Sequence, residues 1–170
     1  ARLNITNNEI NVTGEADGIS ITSANYDVII MNNRIRTGGS NGIRLSPVFR
    51  ANITLNNITV SGSRAGVGGI QLSKSNDTVI NYNLVNVSST NTRGIVISES
   101  FRVNITNNNI TKNSTGNAGF EIFIGGDTYF HSNYVNSSTA PAILLDRANI
   151  TNMSNNTIMH NNQYDVRIVA

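Results

Sequence analysis

Several residue classes are missing or scarce in this chain of 170 residues, and each absence narrows its possible functions. Cysteine is absent, so neither a disulfide framework nor a thiolate metal site can form. Charged residues make up only 13% of the chain, and the two lysines and ten arginines are scattered, so nucleic-acid binding is not predicted. No apolar run approaches the roughly 18 residues of a membrane span, and we expect no membrane insertion. No signal peptide is recognisable at Ala1, so we expect a mature form or an excised fragment.

The residues that are abundant point to short strands and tight turns. The chain contains 30 Asn, 17 Ser, 16 Thr and 22 Ile. Asparagine is unfavourable inside helices, whereas β-branched Ile, Val and Thr favour strands. Asparagine and glycine are also typical turn residues. The composition therefore predicts an all-β protein in which neutral polar groups supply the solubility.

Two short phrases recur along the chain at nearly fixed intervals. The phrase Arg-x-Asn-Ile-Thr begins at Arg2, Arg50, Arg102 and Arg147, with spacings of 48, 52 and 45 residues. A second phrase begins at Asp27, Asp77 and Asp127, with a spacing of 50 residues each time. Self-similarity at a fixed period is the sequence signature of a repeat architecture.

Finer columns divide this unit of about 50 residues into two coils. Glycine followed by alternating apolar residues recurs at Gly18, Gly42, Gly69, Gly94 and Gly119, and weaker copies begin at Ala142 and Asp165, so that the spacings are 23 to 27 residues. This period, with three short strands in each repeat, predicts a right-handed single-stranded parallel β-helix of about seven coils. The prediction treats residues 1–170 as one domain, which can be a segment of a longer helix. A leucine-rich repeat would need leucine at its consensus positions, and a β-sandwich would not explain the recurrence in register.

Two polar columns are predicted to run along the helix axis. One is an asparagine ladder whose amides bond from coil to coil, formed by Asn8, Asn33, Asn56, Asn83, Asn108, Asn133 and Asn156. The other is a structural charge column of alternating sign, formed by Arg2, Asp27, Arg50, Asp77, Arg102, Asp127 and Arg147. Placing Arg147 in this column requires a shortened loop before it. In the alternative register, Arg147 lies outside the column and Met153 takes the core position that Phe130 has in the preceding coil.

The Gly-Ile-x-Ile, Ser-x-Ser and Asn-x-Ile columns resemble the parallel β-helix repeats of the NosD-like and carbohydrate-binding or sugar-hydrolase group. Ser73 with Ser75, and Ser98 with Ser100, supply the Ser-x-Ser motif. The columns are also similar to Asn-rich repeats of archaeal or bacterial surface proteins. The resemblance implies the fold over nearly the whole chain, but it implies no single activity, because the same helix supports lyases, hydrolases, adhesins and surface-layer modules.

Few residues form a constellation that could carry chemistry. Hydrolysis of a glycoside would use two carboxylates a few ångströms apart, and the best candidates are Glu99 and Glu121, near Lys74 and Asp146. His131 and His160 fall in different columns of different coils, so no metal site and no cofactor are predicted. A pairing of Lys74 with Glu99 on the surface explains these residues without catalysis.

We therefore predict a non-enzymatic structural or adhesive module at the cell surface or outside the cell. Its predicted partners are copies of itself stacked head to tail into filaments, or neighbouring coils of a longer chain, and it can also contact glycans. The alternative is a polysaccharide lyase, a hydrolase or a glycan-binding module. Thirteen Asn-x-Ser/Thr triplets are possible glycosylation acceptors and fit an exported protein. Their asparagines are Asn4, Asn11, Asn52, Asn57, Asn76, Asn86, Asn104, Asn109, Asn113, Asn136, Asn149, Asn152 and Asn155.

Overall fold

The chain forms 21 short strands that are arranged in three parallel sheets of seven strands each. The structure is a computed structural model and describes residues 2–23, 27–62, 65–138, 141–160 and 165–169. No helix occurs in these ranges. Each strand pairs in parallel with the strand three places along the chain, which is its equivalent in the next coil.

The first sheet consists of β1 (Arg2–Thr6), β4 (Asp27–Met31), β7 (Ala51–Thr54), β10 (Val79–Asn81), β13 (Asn104–Thr106), β16 (Gly126–His131) and β19 (Asn149–Ser154). The second sheet consists of β2 (Glu9–Val12), β5 (Arg34–Thr37), β8 (Asn57–Val60), β11 (Leu84–Val87), β14 (Asn109–Lys112), β17 (Tyr134–Ser137) and β20 (Thr157–His160). The third sheet consists of β3 (Ile19–Ile21), β6 (Ile43–Leu45), β9 (Gly68–Ser73), β12 (Arg93–Ser98), β15 (Phe120–Phe123), β18 (Ile143–Asp146) and β21 (Val166–Val169). This arrangement confirms the predicted all-β parallel solenoid with three short strands per repeat.

Apolar side chains fill the interior because they alternate along each strand and recur in register from coil to coil. The inward-facing residues Ile30, Ile53, Ile80, Ile105 and Phe130 of the first sheet are all 0% exposed. Each such side chain contributes about 1.5–3 kcal/mol by burial, before the entropy of ordering is subtracted. The core is therefore one continuous column rather than a set of separate clusters.

The asparagine ladder runs along the corner between the first and second sheets. In each step an Nδ2 group donates to the Oδ1 of the next asparagine, for example from Asn56 to Asn83 and from Asn83 to Asn108, both at 3.0 Å. That Oδ1 also accepts the backbone N–H of the preceding ladder residue, as in the 3.0 Å bond from Asn56 N to Asn83. The chain of amide bonds is continuous from Asn8 to Asn156.

The left-handed backbone of this corner lies one residue before the ladder. The positive φ angles of this corner belong to Asn7, Asn32, Leu55, Tyr82, Asn107, Ser132 and Asn155, and not to the ladder residues themselves. Asparagine adopts this conformation readily, whereas leucine and tyrosine do so rarely. The ladder residue is thereby free to turn its side chain inward, toward the carbonyl groups of the first sheet.

Arg147 does not belong to the charge column, and its placement corrects the sequence prediction. Met153 pairs with Phe130 in the core position of the first sheet, so the alternative register is the observed one. The backbone N–H of Arg147 donates to Val169, as that of Glu99 donates to Phe123. Arg147 therefore lies in the column of Lys74 and Glu99, which ends the third sheet.

Candidate functional site

The third sheet carries a groove on its outer face. Its floor is the outward-facing column of Arg44, Gln71, Val96, Glu121 and Leu144, which lie in register on successive strands. The loops that join the second sheet to the third form one wall. Two adjoining cavities of about 360 and 460 Å³ share Gly66 and Gln71, and together they extend from Asp17 to Asp146.

Asp17 anchors one end of the groove. Its side chain is only 11% exposed, and its Oδ1 accepts hydrogen bonds from Ser40 Oγ at 2.6 Å and from Asn41 Nδ2 at 2.9 Å. Burial alone would raise the pKa of Asp17, but these hydrogen bonds outweigh it and hold the pKa below the ordinary value. Arg44 lies 3.9 Å away, so this carboxylate stays charged. The end of the groove is therefore a fixed acceptor rather than a proton donor.

An ion pair occupies the middle of the groove. Arg93 Nε donates to Glu121 Oε2 at 2.5 Å, and the side chain of Glu121 is only 8% exposed. Arg93 reaches this carboxylate from the start of β12, where it pairs with Gly68 of the coil below. A charge-assisted hydrogen bond between a guanidinium and a carboxylate is strong in a site with little water, so Glu121 stays bound to Arg93. Sequence reasoning named Glu121 but missed Arg93.

Glu99 lies in a different ion pair. Its carboxylate is 3.6 Å from Lys74 Nζ, and both side chains are about half exposed. The structure thus brings Lys74 and Glu99 together, as the column spacing predicts, and gives Glu121 a separate partner. Each candidate carboxylate therefore has its own cationic neighbour, and the structure does not bring the two carboxylates together as a pair.

Two arginine–aspartate pairs are in direct contact within the charge column. Arg50 Nε lies 2.7 Å from Asp27, and Arg102 makes two bonds to Asp77, at 2.5 and 2.8 Å. The hydrogen bond from each arginine lowers the pKa of its aspartate below the usual range. Arg2 is in register with Asp27. The side chains are largely exposed, so each pair contributes little to stability.

Lys112 is a buried cation that sequence reasoning missed. Its side chain is 0% exposed and lies in an inward column that contains Val60 and Val87 in the coils below. Its Nζ donates to Ser114 O at 2.8 Å, to Ser114 Oγ at 2.9 Å and to Thr115 O at 3.2 Å. Burial lowers the pKa of Lys112 to about 8. The signal was available, because Lys112 follows the inward Ile110 by two residues on a strand.

The asparagines of the thirteen Asn-x-Ser/Thr triplets all point away from the core. Each is exposed or half-buried, whereas the five ladder residues from Asn33 to Asn133 are at most 2% exposed. In the first sheet these acceptors occupy alternate coils: Asn4, Asn52 and Asn104 alternate in register with Ile29 and Val79. The two-coil repeat therefore gives these acceptors of the first sheet a period of about 9.6 Å, twice the strand spacing.

Comparison with known proteins gives a family model and distant solved structures. The sequence model of a family described as "Periplasmic copper-binding protein (NosD)" matches residues 1–138. The solved structure of QnrB1, a plasmid-mediated fluoroquinolone resistance protein, is 10% identical, with a TM-score of 0.26. That alignment covers 99% of this chain and 92% of the other. No curated protein matches the chain significantly. Within the described ranges, no helix is long and apolar enough to span a membrane.

Proposed function

The chain belongs to the NosD family, and on that premise we propose that it is a non-enzymatic structural module of the cell envelope. The family is described as periplasmic, which is consistent with an envelope or extracellular location. The finer predictions, adhesion and assembly into filaments at the cell surface, remain part of this proposal. The right-handed sense of the helix, which nearly all parallel crossovers share, and the count of seven coils are also part of the proposal.

The observation that carries the proposal is the fate of the ionisable groups in the groove. Within the groove, three hydrogen bonds hold Asp17, and Arg93 holds Glu121. Glu99 lies outside the groove and faces Lys74 across an exposed pair at 3.6 Å. Groups that catalyse proton transfer need a pKa near the working pH and access to substrate. Carboxylates bound to cations and amides instead hold neighbouring coils together, which is a structural role.

We propose that another rung of parallel strands covers the outer edge of β21, supplied by a second copy or by further coils of a longer chain. Ile168 supports this, because it is 74% exposed although Leu145 and Ile122, its partners in register, are buried. An open edge of strands invites such addition. Sedimentation at high concentration and electron microscopy test this proposal. We expect the wild type to form fibres or oligomers, and we expect Ile168→Lys to prevent their formation. A wild-type protein that stays monomeric at millimolar concentration would reject self-stacking.

The alternative, a polysaccharide lyase, hydrolase or glycan-binding module, has a direct test. The wild-type protein and a Glu99→Ala/Glu121→Ala variant are assayed on acidic and neutral glycans. We expect no turnover by either protein, because both carboxylates are held in ion pairs. Turnover by the wild type that the double variant loses would overturn the non-enzymatic proposal.

Glycosylation of the outward asparagines is also proposed, and their exposure supports it. Mass spectrometry of peptides from the protein isolated from its native envelope is the measurement. Sugar attached to Asn52 or Asn104 would be expected, whereas Asn83, which is in no acceptor triplet, serves as the internal control. Unmodified peptides for all thirteen acceptors would refute it.

The family description mentions copper, but this chain has few side chains that could bind a copper ion. Copper prefers thiolate, thioether and imidazole ligands, and the sequence offers no Cys, two His and three Met. His131 points outward from β16, whereas the His160 side chain is 1% exposed and lies in an inward position. Among the described residues, no three His, Cys, Asp or Glu side chains cluster as a metal site would require. We therefore propose that the solenoid itself does not hold copper.

A gain-of-function variant makes this test decisive. Thr106 and Ser154 flank His131 in register on the adjacent coils. Competition with a coloured Cu(I) chelator should show no transfer to the wild type and transfer of one equivalent to Thr106→His/Ser154→His. Transfer of one equivalent to the wild-type chain would refute the proposal.

A further inference from the structure

Lys112 is buried without a counter-charge. Its three hydrogen bonds go to two backbone carbonyls and one hydroxyl, all neutral acceptors. No carboxylate of the described residues forms an ion pair with it. A buried ammonium that is solvated only by neutral groups is less stable than the same ammonium in water. The interior of the solenoid therefore favours the neutral amine of Lys112 over the ammonium, compared with water.

The elements packed around Lys112 bring few titratable groups. Val87 of β11 and Ser137 of β17 lie beside it in register, and Ser137 Oγ is buried without a hydrogen-bond partner. His160 follows one coil further, 3.8 Å from Asp165. Arg93 and Glu121 belong to the third sheet and pair with each other. The loop 113–118 itself contains no titratable side chain.

The loop that Lys112 holds is a wall of the groove. The ammonium binds Ser114 and Thr115, and Ser114 Oγ in turn donates to Ser89 O in the loop of the preceding coil. Asn117 of the same loop lines the larger cavity. Opening of this loop would therefore expose Lys112 to water and widen the groove in one movement.

We propose that Lys112 makes loop 113–118 a pH-sensitive wall of the groove, which opens more readily when the ammonium is charged and closes more tightly when it is neutral. The proposal goes beyond the structural function above and does not depend on it. Loss of the proton removes the unpaired charge, while the neutral amine keeps hydrogen-bond donors for the loop carbonyls.

The size of the effect follows from proton linkage. The pKa of Lys112 is about 8 in the closed state, against 10.5 for the group in water. Between pH 8 and pH 10.5, Lys112 therefore takes up a proton when the loop opens. The closed state gains stability relative to the open state as the pH rises through this range. Between pH 7 and pH 9 the opening equilibrium should fall about tenfold.

Hydrogen exchange of two equivalent amides tests this directly. The N–H of Asn113 donates to Val87 O at 2.9 Å, and the N–H of Ser88, one coil below, donates to Val60 O at 3.1 Å. After correction for intrinsic exchange, the protection factor of Asn113 should rise about tenfold from pH 7 to pH 9. That of Ser88 should stay constant, because no lysine holds its loop. Equal changes at both amides, or no change at Asn113, would overturn the proposal.

A variant and a direct titration distinguish the proposed effect of Lys112 on loop 113–118 from a pH dependence of the stability of the whole protein. Lys112→Val copies Val87 and Val60 in the same column, and it should make the protection of Asn113 independent of pH over this range. In the wild type, an NMR titration of the labelled Lys112 side chain should give a midpoint near 8. A midpoint near 10.5, or a Lys112→Val variant that keeps the pH dependence, would contradict the proposal.

Discussion

Replacement of Asn83 by alanine breaks the asparagine ladder at its middle. The Asn83 side chain is buried, and its Nδ2 donates to Ile53 O at 2.8 Å, to Asn81 O at 3.1 Å and to Asn108 Oδ1 at 3.0 Å. Its Oδ1 accepts the backbone N–H and the Nδ2 of Asn56, both at 3.0 Å. Five hydrogen-bond contacts therefore depend on one carboxamide, with the two Nδ2 hydrogens shared among three acceptors, and alanine replaces none of them.

The cost can be worked out from the groups left behind. The backbone N–H of Asn56 and the carbonyl of Ile53 would lose these bonds in a dry interior. Each buried group that loses its partner costs about 1–3 kcal/mol. We therefore expect Asn83→Ala to lower the free energy of unfolding by about 4 kcal/mol, which is a large share of the total for a typical domain.

Urea unfolding followed by circular dichroism measures this loss, with Asn8→Ala as the matched control. Asn8 belongs to the same ladder, but it lies on the first coil and its side chain is exposed. Water can replace its bonds, so the control should lose less than about 1 kcal/mol. A loss below about 1 kcal/mol for Asn83→Ala, or equal losses for the two variants, would refute the idea that the buried ladder stabilises the fold.

Three further substitutions test other parts of the structure. Thr128→Val should raise the free energy of unfolding by about 1 kcal/mol in urea titrations, because its buried hydroxyl has no partner and Val103 fills the equivalent position one coil below; a loss would contradict this. Gly94→Ala should unfold at markedly lower urea than an Ala65→Gly control, because a Cβ there would overlap the carbonyl of Gly119; similar midpoints would argue against the close stacking. The pKa of Asp17 is lowered in the folded state, so its stabilisation is present above pH 3.8 and is lost as the pH falls through the lower folded value. Asp17→Asn should flatten that acid dependence of the urea midpoint, and an unchanged profile would exclude this role.

Residue spacing alone predicted the columns of the fold. The ladder asparagines recur every 23 to 27 residues, and in a solenoid such positions must lie above one another. Spacing does not reveal which residue of a turn takes the left-handed conformation. In this corner the left-handed residue precedes the ladder residue, and at Leu55 and Tyr82 its identity gives no hint, because both are bulky.

The error at Arg147 arose from following a phrase instead of counting residues. Met153 follows Leu145 by eight residues, as Ile105 follows Ile97 and Phe130 follows Ile122. The same interval separates Leu45 from Ile53 and Leu72 from Ile80, and it places Met153 in the core, as the strand pairing shows. A repeated phrase can shift by several residues when its side chains lie on the surface, because no packing fixes them. The interval between core residues varies less, because both of its ends are packed in the interior.

The groove shows where sequence reasoning ends. Glu121 could be assigned to the outer face from the alternation of its strand, but its partner could not, since Arg93 starts a different strand and reaches across with a long flexible side chain. Lys112 was not singled out from the sequence, because a lysine is rarely buried. Strand alternation places it inside, and only the carbonyls of the next loop make that position tolerable.

The amide bonds of the asparagine ladder all point the same way. Every Nδ2 group donates toward the later coil, from Asn8 onward, and no step is reversed up to Asn156. From Asn33 to Asn133, each of these Nδ2 groups also donates to a carbonyl of the preceding coil, so one carboxamide joins three consecutive coils. Loss of a single ladder side chain therefore loosens both junctions of its coil at once.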